Sequence, residues 1–407
     1  MRSHRAVLIL LTFLGLAGCA RDQQPTAPGM LPASFSSSDP RLLWDPSGRL
    51  HVVYVESRAD GGEGAVVYRR LGKDPAGPVR ISPPTLAVAA SRETPPTLDL
   101  LPDGTLVTGY PVKLPGKWQS ELRVQRSTDG GKSWGEPRLL NTPGNGAHSF
   151  LSSATSASGT VAFAWLENGS GQMGVRVAST RDGGTFTPSA AVDAHTCQCC
   201  GTEMAAGRKG QLWMAYRDLE ADDLRDFQVL RTTSDPPVFR DGAKLSADGW
   251  HLRGCPETGA RLAEAPDGTL WAAWFTGGGE PGIYVTSSED GGAHFAPRTL
   301  LTTPGQLGRH PEIGALADGR IAVLYETLGA EESSLQALVR DVRGAWGKPR
   351  TLVPGGIYPR LATRGERTAI AFTCRSGENS RVIVAGWEDL MRGEHFAECA
   401  SKNSPAL

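Results

Sequence analysis

The apolar residues of this chain occur in short runs, and long stretches with helical periodicity are rare. Glycine, proline, aspartate and serine interrupt the runs at regular intervals. One pattern recurs: a glycine, one residue, an aliphatic residue, three further residues and then an aromatic. Its copies are GRLHVVY at Gly48, GTLVTGY at Gly104, GTVAFAW at Gly159, GQLWMAY at Gly210, GTLWAAW at Gly268 and GRIAVLY at Gly319. The pattern predicts an all-β protein built from a tandem repeat.

The spacing of the repeat predicts its architecture. Successive hairpin glycines stand 56, 55, 51, 58 and 51 residues apart, and a degenerate seventh copy, ERTAIAF, begins at Glu366. Each copy divides into four strands, as in GARLAEA, TLWAAWF, GIYVTSS and APRTLLT of the fifth. Tandem four-stranded antiparallel units predict a β-propeller, because neighbouring blades cover the sheet faces that one unit leaves wet. Seven blades are favoured, six are the alternative, and the last copy lacks an outer strand.

A second motif lies between the third and fourth strands of several copies. It reads RSTDGGKSW in the second copy and SSEDGGAHF in the fifth, with eroded forms STRDGGTF and TTSDPPVF in the third and fourth. Its aspartate can accept hydrogen bonds from the backbone of its own turn, and its glycine supplies a positive φ. We therefore predict a structural turn that does not take part in catalysis. The turn residues are Ser127, Asp129, Gly131, Trp134, Ser288, Asp290, Gly292 and Phe295.

These turns resemble the Asp-box, or bacterial neuraminidase (BNR) repeat, of sialidase-like propellers, and the likeness covers about residues 39–390. The resemblance implies a glycoside hydrolase of exo-sialidase type acting on glycans. In that family three arginines hold the substrate carboxylate, a tyrosine activated by a glutamate is the nucleophile, and an aspartate is the acid/base. Asp-boxes also occur in non-enzymatic propellers. The alternative is thus a propeller that binds a protein, a glycan or a soft metal through its cysteine-rich loops.

Counting back from each hairpin glycine aligns the innermost strands, which line the channel of a propeller. Positions seven and nine residues before the glycine share a strand face and carry several charged residues. The catalytic candidates are three arginines for the clamp, Arg41, Arg261 and Arg360, with Asp39, Glu203, Glu312 and Tyr358 for the other roles. The alternative interpretation is that these charges pair with one another around a wet channel.

Two cysteine-bearing segments, HTCQCCGTEM and GWHLRGCPETG, lead into the first strands of consecutive copies. We therefore expect their cysteines on the channel face. Disulfides that brace the loops, including one from Cys199 or Cys200 to Cys255, are favoured. A soft metal such as Cu⁺ is the alternative, so no cofactor is expected and copper is the candidate if there is one. Its candidate ligands are Cys197, Cys199, Cys200 and Cys255.

The remaining cysteines belong to the two ends of the chain. Cys374 and Cys399 are predicted to form a disulfide that ties the tail to the last blade. The start MRSHR, the apolar AVLILLTFLGLA and the LAGC that ends at Cys19 resemble a bacterial lipoprotein signal. We predict a signal peptide over 1–18, a lipidated cysteine and flexible linker over 19–38, the propeller over 39–395 and a tail over 396–407.

These features predict an exported, membrane-anchored lipoprotein of the outer membrane, periplasm or cell surface. The net charge of -1 and the pI near 6.7 give no electrostatic footprint for nucleic acid. We expect a monomer that contacts the membrane only through its lipid. Its channel face should bind a glycan or protein ligand.

Overall fold

The computed structural model describes residues 35–58, 64–72, 74–90, 94–144, 146–168, 173–328, 333–376 and 379–393, together with Cys399. The predicted signal peptide, the Cys19 lipidation site, the linker up to residue 34 and the tail apart from Cys399 lie outside the described residues. In the described part of the chain, no helix is long and apolar enough to cross a membrane.

The described strands form seven antiparallel sheets, which confirms the predicted seven-bladed, all-β propeller. The first three blades each have four strands in chain order. Blade 1 contains β1 (Phe35–Trp44), β2 (Leu50–Arg58), β3 (Ala65–Leu71) and β4 (Ala76–Arg80); blade 2 contains β5 (Asp99–Leu100), β6 (Leu106–Lys113), β7 (Ser120–Ser127) and β8 (Arg138–Leu139); blade 3 contains β9 (Ala147–Thr155), β10 (Val161–Asn168), β11 (Gly174–Thr180) and β12 (Ala190–Asp193).

The next three blades repeat this order, and the last has three strands followed by a short helix. Blade 4 contains β13 (Glu203–Ala206), β14 (Leu212–Arg217), β15 (Phe227–Thr232) and β16 (Asp241–Lys244), with a 3-10 turn over Ala221–Asp223; blade 5 contains β17 (Arg261–Glu264), β18 (Leu270–Thr276), β19 (Gly282–Ser288) and β20 (Thr299–Leu300). Blade 6 contains β21 (Gly308–Ala315), β22 (Ile321–Leu328), β23 (Ser333–Arg340) and β24 (Arg350–Pro354); blade 7 contains β25 (Gly356–Arg364), β26 (Arg367–Ser376) and β27 (Asn379–Gly386), then α1 (Trp387–Arg392).

The hydrophobic core is divided into clusters that lie between neighbouring blades. One cluster, for example, joins Trp213 and Val229 of blade 4 to Leu270 and Trp274 of blade 5, and an equivalent cluster fills each other seam. The second strand of each blade therefore buries both of its faces. This explains why the sequence shows continuous apolar runs after each hairpin glycine, without the alternation of a half-exposed strand.

The ring closes where blade 7 meets blade 1. The backbone N–H of Val382 donates to Ser37 Oγ at 2.8 Å, and the Trp44 indole donates to the carbonyl of Ala362 at 3.1 Å. As predicted, blade 7 has no fourth strand among the described residues, and α1 packs there through Trp387 and Leu390. The predicted disulfide between Cys374 and Cys399 is confirmed in the same cluster.

The Asp-box turns satisfy their aspartates internally. Asp129 Oδ1 accepts hydrogen bonds from the Ser127 hydroxyl at 2.8 Å and from the backbone N–H groups of residues 132 and 133 at 3.0 Å. The turn of Asp290 repeats this geometry. Gly131 has φ +89°, and a Cβ there would lie 2.1 Å from the ring of Tyr68 in blade 1. The glycine therefore allows both the turn and the close approach of the neighbouring blade.

Candidate functional site

Four innermost strands carry a bulge at the same level. Asp39, Phe150, His310 and Tyr358 each adopt a left-handed backbone, with φ between 47° and 56°, and the strand register shifts beside each of them. This conformation costs roughly 1–2 kcal/mol in a residue with a side chain, so the surrounding packing must hold it. The bulges re-aim the side chains that follow them near the channel.

Blades 4 and 5 have glycines at the equivalent level. A Cβ on Gly259 would lie 2.7 Å from the carbonyl oxygen of Gly201, so the backbones of the two connections touch. The inner strands of these blades then begin at Glu203 and Arg261, two residues later. The glycines thus bring these two charged side chains together at the centre of the ring.

Five of the seven catalytic candidates meet there, and we call them the channel cluster: Arg41, Glu203, Arg261, Glu312 and Arg360. Glu203 Oε2 lies 3.9 Å from Arg41 Nη2 and 3.2 Å from Arg261 Nη1. Glu312 Oε2 lies 3.3 Å from Arg261 Nε and 3.7 Å from Arg360 Nη1. Arg41 comes from blade 1 and Glu203 from blade 4, on the far side of the ring. The side chains of the cluster therefore extend across the channel from blade 1 to blade 4.

Arg41 is the cluster residue that solvent reaches most easily. Its side chain is 22% exposed, whereas the other four are 10% exposed or less. In the described part of the chain, its only ion pair is the long contact with Glu203. Arg261 and Arg360 are held more firmly, because each also donates to a backbone carbonyl, at 3.1 and 2.8 Å.

Burial opposes the charged forms of two residues of the channel cluster. Burial raises the pKa of Glu203, against the opposing effect of the Arg261 and Arg41 charges. Burial also lowers the pKa of Arg360 to about 9, and the positive charges of Arg261 and Arg41 act in the same direction. Within the cluster three guanidinium groups face two carboxylates, and Asp99 beside Arg41 is a third acid. An anion that reached Arg41 could pair with it more closely than Glu203 does at 3.9 Å.

Sequence reasoning missed Asp99, a buried acid beside the cluster. It lies on β5 and accepts hydrogen bonds from Ser153 and Thr155 of blade 3, the latter at 3.0 Å. Burial raises its pKa to about 6, although both hydroxyls and the charge of Arg41 oppose this. The available signal was an acid at a level of the inner strands where most other copies carry alanine or glycine.

Asp39 and Tyr358, the other two catalytic candidates, lie on β1 and β25, the inner strands of the adjacent blades 1 and 7. The backbone N–H of Asp39 donates to Thr373 Oγ1 at 3.3 Å, and Thr373 pairs with Ile357, the residue before Tyr358. Both candidates lie two residues before a cluster arginine, away from the hairpin end. The two residues therefore lie on the side of the channel cluster that faces away from the hairpin turns.

The ring of Tyr358 packs on His310, with 4.7 Å between centroids. His310 Nε2 lies 3.1 Å from the carbonyl of Glu257, and Nδ1 contacts the buried carboxylate of Glu326. Both ring nitrogens therefore face oxygen acceptors. Glu326 was also missed, and its signal was a charge directly after the motif aromatic in a buried strand, as at Arg217.

The cysteines of the channel face do not assemble as expected. Cys197 Sγ lies 3.9 Å from Cys199 Sγ and 3.6 Å from Cys200 Sγ, and all three residues are buried. Cys255 lies outside this group and is exposed. All four are free thiols, so the predicted bond from Cys199 or Cys200 to Cys255 is wrong for this structure. The reason is that the trio lies in the tight turn before β13, whereas Cys255 lies in a separate exposed connection.

One arginine contacts the thiol of Cys197 and a second lies near it. Arg225 Nη1 lies 3.2 Å from its Sγ, and the backbone N–H of Cys197 donates to the carbonyl of Arg217 at 3.0 Å. The hydrogen bonds of Cys199 and Cys200 to its sulfur lower the pKa of Cys197, and the charge of Arg217 acts in the same direction. The pKa values of Cys199 and Cys200 are correspondingly raised.

A cavity lies elsewhere, at the hairpin end of blades 1, 6 and 7. Its volume is about 990 Å³, and Trp44, Leu71, Leu316 and Trp387 are among its lining residues. These residues lie at or near the hairpin turns, at the opposite end of the inner strands from Asp39 and His310. The cavity therefore does not contain the channel cluster.

No protein-family model matches the chain, and no curated protein matches it. Among solved structures, an ulvan lyase bound to -[GlcA(1-4)Rha3S]- matches with a TM-score of 0.58 at 11% identity, over 89% of this chain and 98% of the lyase. A leech intramolecular trans-sialidase complexed with 2,7-anhydro-Neu5Ac matches with a TM-score of 0.52 at 11% identity, over 91% and 94%. A Hadza microbial sialidase matches with a TM-score of 0.51 at 16% identity, over 84% and 77%. At these identities the chain shares its propeller fold with carbohydrate-active proteins, and its own residues must indicate its chemistry.

Proposed function

We propose that the channel cluster binds the carboxylate of an acidic sugar. The observation that carries this proposal is the convergence of three guanidinium groups near the channel axis, where Arg41 is partly exposed and, among the described residues, its one ion pair is the 3.9 Å contact with Glu203. A guanidinium group matches a carboxylate in bidentate geometry, and each charge-assisted hydrogen bond contributes about 1.5–3 kcal/mol.

The class of sugar follows from charge. A neutral sugar offers the guanidinium groups no charge-assisted partner, whereas a carboxylate does. The ligands of two fold neighbours agree with this class, because Neu5Ac and GlcA are both sugar acids. The connections that lead into the inner strands would then contact the rest of the glycan.

A second candidate function is hydrolysis of exo-sialidase type, which the placement of Asp39 and Tyr358 on the inner strands of adjacent blades, each two residues before a cluster arginine, favours. In this mechanism Tyr358 attacks the anomeric carbon while Asp39 protonates the leaving oxygen. Water then displaces Tyr358 from the sugar and gives a proton back to Asp39. Tyr358 needs a base, and Glu203 and Glu312 are the cluster carboxylates available for that role. Binding of the acidic sugar is the first requirement of this reaction.

Calorimetric titration tests the binding proposal. We expect N-acetylneuraminic acid or glucuronic acid to bind the wild-type protein, and glucose not to bind. Arg41→Ala should abolish binding, and Arg41→Lys should retain part of it. Arg320→Ala is the matched control, because Arg320 lies at the hairpin end and pairs with Asp318. Equal binding of glucose, or normal binding to Arg41→Ala, would refute the proposal.

Turnover of a fluorogenic sialoside tests the hydrolase. Activity that is lost in Tyr358→Phe and in Asp39→Asn, with sugar binding retained in both, would support it. Binding of the acid without any turnover would eliminate the hydrolase and leave a non-catalytic receptor for an acidic glycan.

A further inference from the structure

We propose that Cys197, Cys199 and Cys200 form a three-sulfur site for a soft monovalent metal ion, Cu⁺. The site is separate from the channel cluster, and the inference does not depend on the proposed sugar binding. We call these three residues the thiol trio. The trio comes from one turn, immediately before β13, so no other element has to move to form it.

The sulfur positions match those of metal ligands. A metal–sulfur distance of about 2.3 Å places two ligating sulfurs roughly 3.8–4.0 Å apart in tetrahedral or trigonal geometry. The measured separations from Cys197 are 3.9 and 3.6 Å, and all three sulfurs lie within 4.8 Å of one another. One ion at the centre of the trio could therefore contact all three.

Disulfide bonding explains the trio less well. A single bond uses two sulfurs and leaves the third as a buried thiol. The nearest alternative partner in sequence, Cys255, is exposed and lies outside the group. A metal ion uses all three sulfurs, which is why an odd number of clustered cysteines favours coordination.

The donor set selects a soft ion. In the described part of the chain, the group contains three cysteines and no histidine or carboxylate. Thiolates bind both Cu⁺ and Zn²⁺, but structural zinc sites almost always have four ligands and this group has three. The exposed fractions of Cys197, Cys199 and Cys200 are 1%, 8% and 1%, so an ion would enter past Cys199 and then lie almost dry.

The surrounding charges favour a monovalent ion over a divalent one. Binding of Cu⁺ by three thiols releases three protons and gives a complex of charge −2. Arg225, 3.2 Å from Cys197, and the buried Arg217 supply two positive charges. Asp223, 4.0 Å from Arg225, also pairs with Arg253 at 3.0 Å, so that pair adds no net charge. The assembly is neutral with Cu⁺ and would carry an extra charge with Zn²⁺, which burial penalises.

Competition with a chromophoric Cu⁺ chelator tests the site. The wild-type protein, reduced and kept anaerobic, is expected to bind one equivalent of Cu⁺. Arg225→Gln should weaken binding by about 10–100-fold, because it removes the hydrogen bond to a ligand. Serine variants at each position of the trio should weaken binding further. Cys255→Ser is the matched control, and we expect it to bind as tightly as wild type.

Two measurements on the wild-type protein keep the test valid if a serine variant fails to fold. Copper K-edge absorption should show a first shell of sulfur only. A free-thiol count on unreduced, metal-free protein should find four thiols, besides any at Cys19. A first shell that contains oxygen or nitrogen, loss of two thiols to a disulfide within the trio, binding that Cys255→Ser removes, or a higher affinity for Zn²⁺ than for Cu⁺ would each overturn the proposal.

Discussion

The carboxylates of the Asp-box turns and those of the channel cluster are the same chemical groups in opposite surroundings. Asp129 is exposed and accepts hydrogen bonds within its own turn, chiefly from Ser133, which lower its pKa. Glu203 is buried, its pKa is raised by that burial, and its ion-pair partners Arg41 and Arg261 come from other blades. The donors of Asp129 follow from a few residues of local sequence, whereas those of Glu203 exist only once the ring has closed.

This difference shows how a repeated motif and a functional residue can be told apart. A carboxylate that its own turn satisfies stabilises a turn wherever the turn occurs. A carboxylate that depends on distant arginines is costly to bury, and its partners can be exchanged for a ligand. The predictions below separate these two behaviours.

The largest expected effect is on the buried ion pairs. Arg261→Ala leaves both Glu203 and Glu312 without their closest arginine and should lower the free energy of unfolding by about 3–5 kcal/mol. Arg41→Ala, at the partly exposed end of the same chain of ion pairs, should cost about 0–1 kcal/mol. Urea denaturation of both variants measures the difference. Equal losses of unfolding free energy would show that Arg41 and Arg261 contribute equally to stability, against the prediction.

Asp99 should make stability depend on pH. Its pKa is raised from 3.8 to about 6, so between these values the folded protein binds more protons than the unfolded chain. The free energy of unfolding should therefore fall as the pH rises from about 4 to 6, by up to about 3 kcal/mol relative to Asp99→Asn. Denaturation of the pair at pH 4 and pH 7 tests this, and a difference that stays constant would contradict it.

In the Asp-box, contact between blades should matter more than the turn conformation. Gly131 and Gly104 both have φ +89°, but an added Cβ meets Tyr68 only at Gly131, and nothing lies within 4 Å at Gly104. Gly104→Ala should cost about 1–2 kcal/mol for the backbone alone. Gly131→Ala should cost about 1–3 kcal/mol more, from overpacking. Thermal or urea denaturation measures both losses. Similar losses for the two variants would mean that Tyr68 moves aside for the added Cβ at little cost.

The smallest effect is expected at an exposed Asp-box acid. Hydrogen bonding, first from the His294 backbone, lowers the pKa of Asp290, so its contribution is present above the ordinary pKa of 3.8 and is lost as the pH falls through the lower folded value. Asp290→Asn should be less stable than wild type at pH 7, and the gap should close in acid. Glu289→Gln, in the same turn, is the control and should show no such gap. Denaturation at several pH values checks both.

Most of the fold could be predicted from sequence because each blade repeats the same local instructions. The hairpin glycines, the aromatics after them and the Asp-box turns all recur, so a register counted from Gly48 or Gly268 also aligned the inner strands. That alignment places Arg41, Arg261 and Arg360 at equivalent positions of their inner strands. Because the blades repeat, the position of a residue within its repeat predicts its level along the channel.

The parts that could not be predicted depend on contacts between unlike segments. Arg41 of blade 1 pairs with Glu203 of blade 4, across the ring. The spacing of the sequence repeat does not predict which side chains meet across the channel. The separation of Cys255 from the thiol trio depends on the paths of two long connections. Asp99 and Glu326 are charged residues at positions that are apolar in most other copies. They do not occupy the positions seven and nine residues before the hairpin glycine, which carry the other candidates.

The central claim is that the channel cluster recognises a carboxylate. Calorimetric titration of the wild-type protein with N-acetylneuraminic acid and with its methyl ester tests this claim most directly, because the two ligands differ only in that group. The account predicts that the acid binds about 10–100-fold more tightly than the ester, the equivalent of one charge-assisted hydrogen bond. Equal affinity for the two ligands, or binding of neither, would contradict it.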